Sequence, residues 1–263
     1  MLPPLRFVSL AISVIVAASP ALADPPVGTD GDEQPAPPPS SAAVQAGAFL
    51  PFTAPARGDT QRAYAWVQGG YDSAQGGVVF DSTAQAALVG PVSLRAGVGY
   101  VGPNGAVRPS VSLTVDALRQ ERHGVDLAVY AGYQGQGFNT VPAANVLVAV
   151  GRSFGRVNLL ANVGYGYGLD EGEHFGEARL AALVRVTPTF RLGLDSRARL
   201  DLEHDADEPE NEPDWDLVAG PEATLSIDRF VLSAGGGLSA IQYRLSSDVR
   251  VGAQGHLSFG ATF

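Results

Sequence analysis

Side chains near the carboxyl end of the chain alternate between apolar and polar with almost no exceptions. Between residues 248 and 263, the odd positions are apolar or small, as at Val249 and Leu257, and the even positions are polar or glycine. Alternate side chains of a β-strand lie on opposite faces, so this pattern predicts a strand with one apolar and one polar face. The strand is far longer than the roughly 5 to 6 residues usual in soluble proteins. Since about 9 to 11 residues of a tilted strand cross a bilayer, its length favours a membrane-crossing strand.

The same alternation recurs along most of the chain and divides it into about twelve segments, an even number as in bacterial membrane barrels. It is clearest in 106–118, 174–187, 189–204 and 214–227, and it is ambiguous in the first and sixth segments. The predicted strands span 62–72, 77–89, 92–101, 106–118, 123–134, 143–153, 156–168, 174–187, 189–204, 214–227, 229–242 and 247–263.

Connection lengths separate a membrane barrel from a soluble β-sandwich, whose strands also alternate. Every second connection is short, as at 90–91 and 153–155, whereas the others are longer and often acidic, as at 134–142 and 203–214. Short turns on one rim and longer loops on the other are typical of an outer-membrane barrel.

Aromatic residues of the apolar parity fall near the ends of the predicted strands. If the first strand rises from the inner side, Tyr133, Tyr165 and Trp215 come to the outer rim, and Phe190 and Phe259 come to the inner half. Two aromatic girdles are expected of a membrane barrel and not of a sandwich. The sequence therefore predicts an all-β fold, a transmembrane antiparallel up-and-down β-barrel of about 12 strands, with roughly 10 or 14 as alternatives.

The amino terminus has the form of a secretory signal peptide. Residues 1–6 are basic, residues 7–18 are apolar, and 21–23 read as a small-residue site, which predicts export and cleavage after Ala23. Residues 24–61 are rich in proline, alanine and serine without periodicity, and they predict a flexible periplasmic tail. Within it, residues 42–50 carry a weak signal for a short helix or for a piece that folds into a lumen. The barrel is expected over 62–263.

Composition excludes several classes of function. The formal net charge of −10 makes the chain a poor partner for nucleic acid. The absence of cysteine excludes disulfides, thiol catalysis and zinc sites built on cysteine. We expect no cofactor.

The carboxyl-terminal strand ends on an aromatic residue, with apolar residues at alternate positions before it. These residues are Phe263, Ala261, Phe259 and Leu257. With the signal peptide, this pattern resembles Gram-negative bacterial outer-membrane β-barrel proteins of the porin-like class. The resemblance implies residence in the outer membrane among its lipids and lipopolysaccharide, and a terminal strand recognised by the barrel assembly machinery. It does not fix an activity, since channels, lipases, proteases and adhesins share the architecture.

One predicted hairpin carries an unusual number of arginines on its polar face. A turn centred on Pro188 would place Arg185 opposite Arg191, Arg179 opposite Arg197, and a glutamate opposite Arg199. Like charges directly opposite are destabilising in a sheet, so this wall requires carboxylates or water nearby. The predicted pore-lining residues are Arg179, Arg185, Arg191, Arg197 and Arg199, with Asp195, Asp201, Asp216 and Glu222 as the opposing carboxylates.

Two functions follow from a charged lumen. A water-filled pore would select small polar or anionic solutes by its transverse field. Alternatively, the ion pairs close the lumen and the barrel is structural or carries surface interactions. About twelve strands lie between the roughly 8 that side chains just fill and the 16 to 18 that leave a wide channel. A narrow pore of that size is one that the 24–61 tail could obstruct.

Metal and catalytic sites are weaker hypotheses. His174 and His204 come to similar heights on neighbouring strands near acidic residues, and they are weak candidates for zinc ligands. The acidic stretch 203–216 is better interpreted as a solvated loop, because it lacks the spacing of a calcium loop. A hydrolase would need a nucleophilic serine held by a histidine. Since His256 and Ser258 share the luminal side, we predict a protein that is not an enzyme.

Overall fold

A computed structural model describes most of the region predicted to form the barrel and a short segment before it. The described residues are 50–56, 63–74, 77–101, 107–134, 143–169, 172–202, 213–243 and 248–263. The predicted signal peptide and most of the 24–61 tail lie outside them. Within the described part of the chain, no helix is long and apolar enough to cross a membrane.

Twelve strands and one short helix make up the structure. They are β1 (Tyr64–Asp72), β2 (Gly77–Val89), β3 (Val92–Val101), β4 (Arg108–Leu118), α1 (Gln120–His123), β5 (Asp126–Gln134), β6 (Ala143–Phe154), β7 (Val157–Gly168), β8 (His174–Arg185), β9 (Phe190–Asp201), β10 (Pro213–Ile227), β11 (Phe230–Tyr243) and β12 (Val249–Thr262). The predicted strands are confirmed, with ends that differ by three residues at most.

One of the two three-residue differences falls at α1, where the alternation predicts a strand from residue 123. Gly124 ends the helix in a left-handed conformation with a φ of 76°, and its N–H donates to the Gln120 carbonyl. The Gln120 side chain also bonds both main-chain groups of Ser153 near the end of β6. This local bonding extends a helical turn to residue 123, where alternation alone predicts the start of a strand.

The strands close into a barrel in which each one pairs antiparallel with its neighbours in the sequence. β1 completes the ring by pairing with β12, from Tyr64 opposite Thr262 onwards. The predicted fold class is confirmed with twelve strands. The predicted register of the arginine hairpin is also confirmed, since Arg185 lies opposite Arg191 and Arg179 lies opposite Arg197.

The two faces of the barrel differ as the alternation predicts. On β12, Gln254 and Ser258 point inward and are buried, whereas Leu257 is 56% exposed on the outside. Large apolar side chains such as Leu194 and Leu232 are exposed on other strands in the same way. Exposed apolar surface of this extent is foreign to soluble monomers and is the surface that a lipid bilayer covers.

The two ends of the barrel carry different connections and different aromatic residues. We call the end with the short connections 90–91, 155–156 and 228–229 the turn rim, and the opposite end the loop rim. Phe230 and Phe259 stack near the turn rim with ring centroids 5.7 Å apart. Such rings suit the two interfaces of a membrane.

In the middle of β10 and β11 the two backbones lie so close together that a side chain does not fit at two positions. A Cβ atom at Gly220 would lie 2.0 Å from the Gly236 carbonyl oxygen, and one at Gly237 would lie 2.1 Å from the Ala219 carbonyl oxygen. Glycine is therefore required by contact between the two backbones.

Replacing Gly237→Ala should destabilise the barrel, because the added methyl group forces β10 and β11 apart. We expect a loss of about 1–3 kcal/mol, as for other overpacked sites. The measurement is the urea midpoint for loss of heat-modifiable migration on a gel. Gly255→Ala is the matched control, because its Cβ would meet nothing closer than 3.8 Å. Equal midpoints for the two variants would contradict the close approach.

Candidate functional site

Residues 50–56, the sequence LPFTAPA, lie inside the barrel and form what we call the luminal segment. Phe52 is 4% exposed and Thr53 is 1% exposed. The segment is not a strand, and it is the only part of the predicted 24–61 tail among the described residues. The lumen of the described barrel is therefore occupied by the chain itself.

Asp195 and Arg179 hold the first half of the luminal segment. The Phe52 N–H donates to Asp195 Oδ2 at 3.0 Å, and the Thr53 hydroxyl donates to Asp195 Oδ1. Arg179 Nη1 donates to the Phe52 carbonyl at 2.7 Å. A carboxylate and a guanidinium thus bind the two main-chain groups of one residue, with the added strength of charge-assisted hydrogen bonds.

Asn162 and Tyr130 hold the other half. The Ala54 N–H donates to Asn162 Oδ1 at 2.6 Å, and Asn162 Nδ2 donates to the Ala54 carbonyl at 3.0 Å. The Tyr130 hydroxyl donates to the Pro55 carbonyl. The Asn162 amide therefore pairs with one peptide residue much as a neighbouring strand would.

Apolar side chains on the inward faces of β5 to β8 receive the small residues of the segment. Leu50, Ala54 and Ala56 form one buried cluster with Ala128, Tyr130, Leu147, Ala149, Leu160, Ala181 and Leu183. Phe52 packs elsewhere, with Val79 and Val218, and its ring meets the His256 ring edge-on at a centroid distance of 6.1 Å. The sequence analysis missed this docking surface. The signal was present, because β6 is apolar on both faces and its pattern is ambiguous for that reason.

Most of the predicted pore-lining residues lie inside the barrel. Those buried on inward faces are Arg179, Arg191, Arg197, Arg199, Asp195, Asp216 and Glu222. Asp201 is half-buried near the loop rim, and Arg185 is exposed near the turn rim, where it donates to the Gly155 carbonyl at 3.2 Å. The last position of β8 therefore leaves Arg185 outside the enclosed part of the lumen.

Carboxylates neutralise two of the buried arginines within the wall itself. Arg179 Nε and Nη2 donate to the two oxygens of Glu177 at 2.7 and 2.9 Å. Arg197 Nη2 donates to Asp216 Oδ1 at 2.6 Å. Arg179 and Arg197 can lie opposite each other because each is bonded to its own carboxylate, which offsets their repulsion.

A third polar contact in the wall joins β10 and β12. His256 Nε2 lies 2.7 Å from Glu222 Oε2, and both side chains are almost completely buried. A Cβ at Gly235, on the strand between them, would collide with the Glu222 carboxylate and the His256 ring. The glycine gives these two side chains the room to meet, and this arrangement binds His256 to a carboxylate instead of placing it over a serine.

Space beside the luminal segment is small. A cavity of about 80 Å³ is lined by the segment together with Trp66, Asp81, Arg95 and Tyr133. Cavities of this size hold a few water molecules. This cavity leaves no room for a solute of the size of a sugar.

Of the two histidines considered as metal ligands, His174 lies apart from this site. His174 is at the loop rim, where its ring bonds the Tyr165 hydroxyl and packs against Tyr167 at a centroid distance of 4.9 Å. His204 lies outside the described residues. Among the described residues, no group of three or more histidines and carboxylates is arranged to hold a metal ion.

The residues of the carboxyl-terminal pattern face outward. Leu257, Phe259 and Phe263 are exposed and Ala261 is half-buried. Their placement brings the terminal apolar row to the lipid-facing surface near the turn rim. Recognition by an assembly machinery remains a prediction.

Comparison with known proteins shows the fold. No protein-family model matches the sequence, and no curated protein matches it. Among solved structures, the barrel is similar to the NanC porin, with a TM-score of 0.55, 8% identity and coverage of 75% of this chain and 98% of that one. It is also similar to the KdgM porin, with a TM-score of 0.51, 5% identity and coverage of 76% and 99%. The chain therefore has a barrel fold of the porin type.

Replacing Arg197→Ala should strongly destabilise the barrel, because Asp216 would keep a buried charge without its partner. Removing one member of a buried pair costs about 3–5 kcal/mol. The double variant Arg197→Met with Asp216→Leu removes both charges and should recover most of this loss. Urea unfolding of the protein in lipid vesicles measures both. A double variant as unstable as the single one would show that the charges are not coupled.

Proposed function

We propose that the protein is an outer-membrane channel for small polar or anionic solutes, held closed in the described state by the luminal segment. The observation that carries the proposal is that a separate, uncharged segment fills a lumen in which two buried arginines are already bonded to carboxylates of the wall. Arg179 bonds Glu177 and Arg197 bonds Asp216 without any help from the segment. A polar lining that keeps these ion pairs is suited to contact water and solutes when the segment leaves.

The segment is separable from the barrel that surrounds it. Its hydrogen bonds go to side chains of the wall, whereas the strand ladder is closed by β1 and β12 alone. Withdrawal breaks no ladder hydrogen bond, and water replaces the lost bonds to Asp195 and Asn162. About twelve strands enclose a cross-section wider than the roughly 8 strands that side chains fill by themselves.

The proposal extends to the rest of the chain. Residues 1–23 direct export and are removed after Ala23, residues 24–61 lie on the periplasmic side before entering the lumen, and 62–263 form the barrel. The outward apolar face contacts outer-membrane lipids and lipopolysaccharide. Phe263 and the alternate residues before it are recognised by the barrel assembly machinery. The protein is a channel and not a hydrolase.

The alternative is a non-conducting structural or surface-interaction barrel in which the luminal segment is permanent. The near-complete burial of Thr53 and Asp195 favours it. The two functions differ in one measurable respect, namely whether releasing the segment produces ion conduction.

Replacing Ala54→Glu should release the segment and open the channel. Ala54 lies in the apolar cluster with Leu50 and Tyr130, so a carboxylate there must be desolvated. Burying an ion costs several kcal/mol, and even about 3 kcal/mol shifts the occupied–released equilibrium roughly 100-fold. Planar-bilayer recording of the refolded full chain should show stable open currents for this variant and rare openings for wild type.

Two matched variants control this experiment. Ala54→Ser keeps the size and the main-chain bonds of the segment and should behave like wild type. In a chain with no other cysteine, Ala56→Cys with Gly151→Cys places two Cβ positions close together, 2.7 Å apart before any adjustment. Oxidation should abolish the channel openings of this double-cysteine variant, and reduction should restore them. If Ala54→Glu folds but conducts no more than Ala54→Ser, the channel function is wrong.

Replacing Arg191→Gln in the chain that carries Ala54→Glu, the released variant, should reduce the preference of the channel for anions. Arg191 points inward and donates to the Ser226 hydroxyl at 3.4 Å. The reversal potential in a salt gradient should move by several millivolts toward the value expected for a cation-selective channel. Arg229→Gln is the control, because Arg229 is exposed at the turn rim and stacks on Phe230. An unchanged reversal potential would show that Arg191 does not line the path.

A further inference from the structure

Most of the hydrogen bonds between the wall of the lumen and the luminal segment involve main-chain atoms of the segment. Asp195 accepts from the Phe52 N–H and Arg179 donates to the Phe52 carbonyl. Asn162 both donates to and accepts from Ala54. Hydrogen bonds to peptide groups do not depend on which side chains the segment carries, so this wall recognises an extended peptide as such.

The wall residues form a row on neighbouring strands that bonds two alternate residues of the segment. Asn162 on β7 lies directly opposite Arg179 on β8, and Asp195 on β9 lies opposite Ala181, two positions along the same strand from Arg179. The row serves the residues at positions 52 and 54, which are two apart and present their main-chain groups to the same side when the chain is extended. A folded or helical ligand would not present these groups in pairs.

The wall also limits the side chains that an occupant can carry. The small residues Ala54 and Ala56 lie in an apolar cluster, and Phe52 fills a separate apolar place beside Val79 and Val218. Burial beside these apolar side chains disfavours a charged side chain, and an acidic one would also have to compete with Glu177 and Asp216 for Arg179 and Arg197. Proline is compatible with positions 51 and 55 of the occupant. At position 55 the wall contacts the Pro55 carbonyl and requires no N–H.

We propose that the lumen is a binding site for short, uncharged, proline-containing peptides in extended conformation, and that residues 50–56 are its resident occupant. The inference rests on the proposed channel function, because an external peptide reaches the wall only when the segment has withdrawn. Such peptides are then solutes that the channel binds during passage. The resident segment competes with them for the same hydrogen bonds.

Binding is measured on the full chain carrying Ala54→Glu and Trp215→Phe, which leaves Trp66 as the single tryptophan. Trp66 lines the cavity beside the segment and reports occupancy by its fluorescence. The probes are the acetylated, amidated peptides LPFTAPA and VPYSAPA, of which the second shares only the class of its side chains. Both should bind saturably and should block the current of the same variant in planar bilayers.

Three comparisons test whether the main chain is what the wall recognises. LPFTAPA methylated on the nitrogens of its phenylalanine and first alanine lacks the two N–H donors and should bind at least about tenfold more weakly. The acidic peptide LPDEAPD should not bind. Asn162→Leu should weaken binding of both neutral peptides, whereas Asn158→Leu, on the same face of β7 but bonded to Ser153, should not.

The outcomes separate this inference from the channel function. Current without saturable peptide binding, or equal affinity for the methylated peptide or for a neutral trisaccharide, would overturn the peptide site and leave the channel standing. Binding without current would overturn the channel and support the site. The wild-type chain gives an independent check, because its segment should reduce the apparent peptide affinity at least about tenfold. Equal peptide affinity of the wild type and the released variant would contradict a shared site.

Discussion

Closure of the strand ladder is the constraint on which the rest of the structure depends. Hydrocarbon offers no hydrogen-bond partners, so each main-chain N–H and C=O at membrane depth must bond within the protein. Pairing of β1 with β12, from Tyr64 opposite Thr262 to Asp72 opposite Gln254, removes the two edges that an open sheet would expose. Once the ladder is closed, the pleat assigns every side chain to lipid or to lumen. Polar residues then have only the interior available to them.

That interior has to neutralise its own charges in a narrow space. The barrel does so with short contacts between neighbouring positions, such as Arg179 with Glu177 and Arg197 with Asp216. Asp195 differs, because its oxygens accept from Phe52 and Thr53 of the luminal segment. Two neutral donors of the segment, a main-chain N–H and a hydroxyl, thus stabilise a buried carboxylate of the wall. The segment is in this way part of the electrostatic balance of the lumen.

The sequence predicts the strands and their register well, because both depend on a period of two and on tight turns. Pro188 at the β8–β9 turn is enough to place Arg185 opposite Arg191. The sequence predicts that the 24–61 tail could obstruct the lumen, but the residues that do so could not be identified, since LPFTAPA has no periodicity and its contacts join residues 143 positions apart, as between Phe52 and Asp195. The exposure of Arg185 could not be predicted either, because alternation gives the face on which a residue lies and not its height along the barrel axis.

The separation between ladder and lumen explains how one fold accommodates both a closed and an open interior. Inter-strand hydrogen bonds fix the cylinder whether or not the segment is present, whereas the segment is held by a few side chains, among them Asn162, Arg179 and Tyr130. A change in the lumen therefore alters those contacts without altering the ladder. Stability then resides in the strands and, in the proposed channel, control of passage resides in the segment.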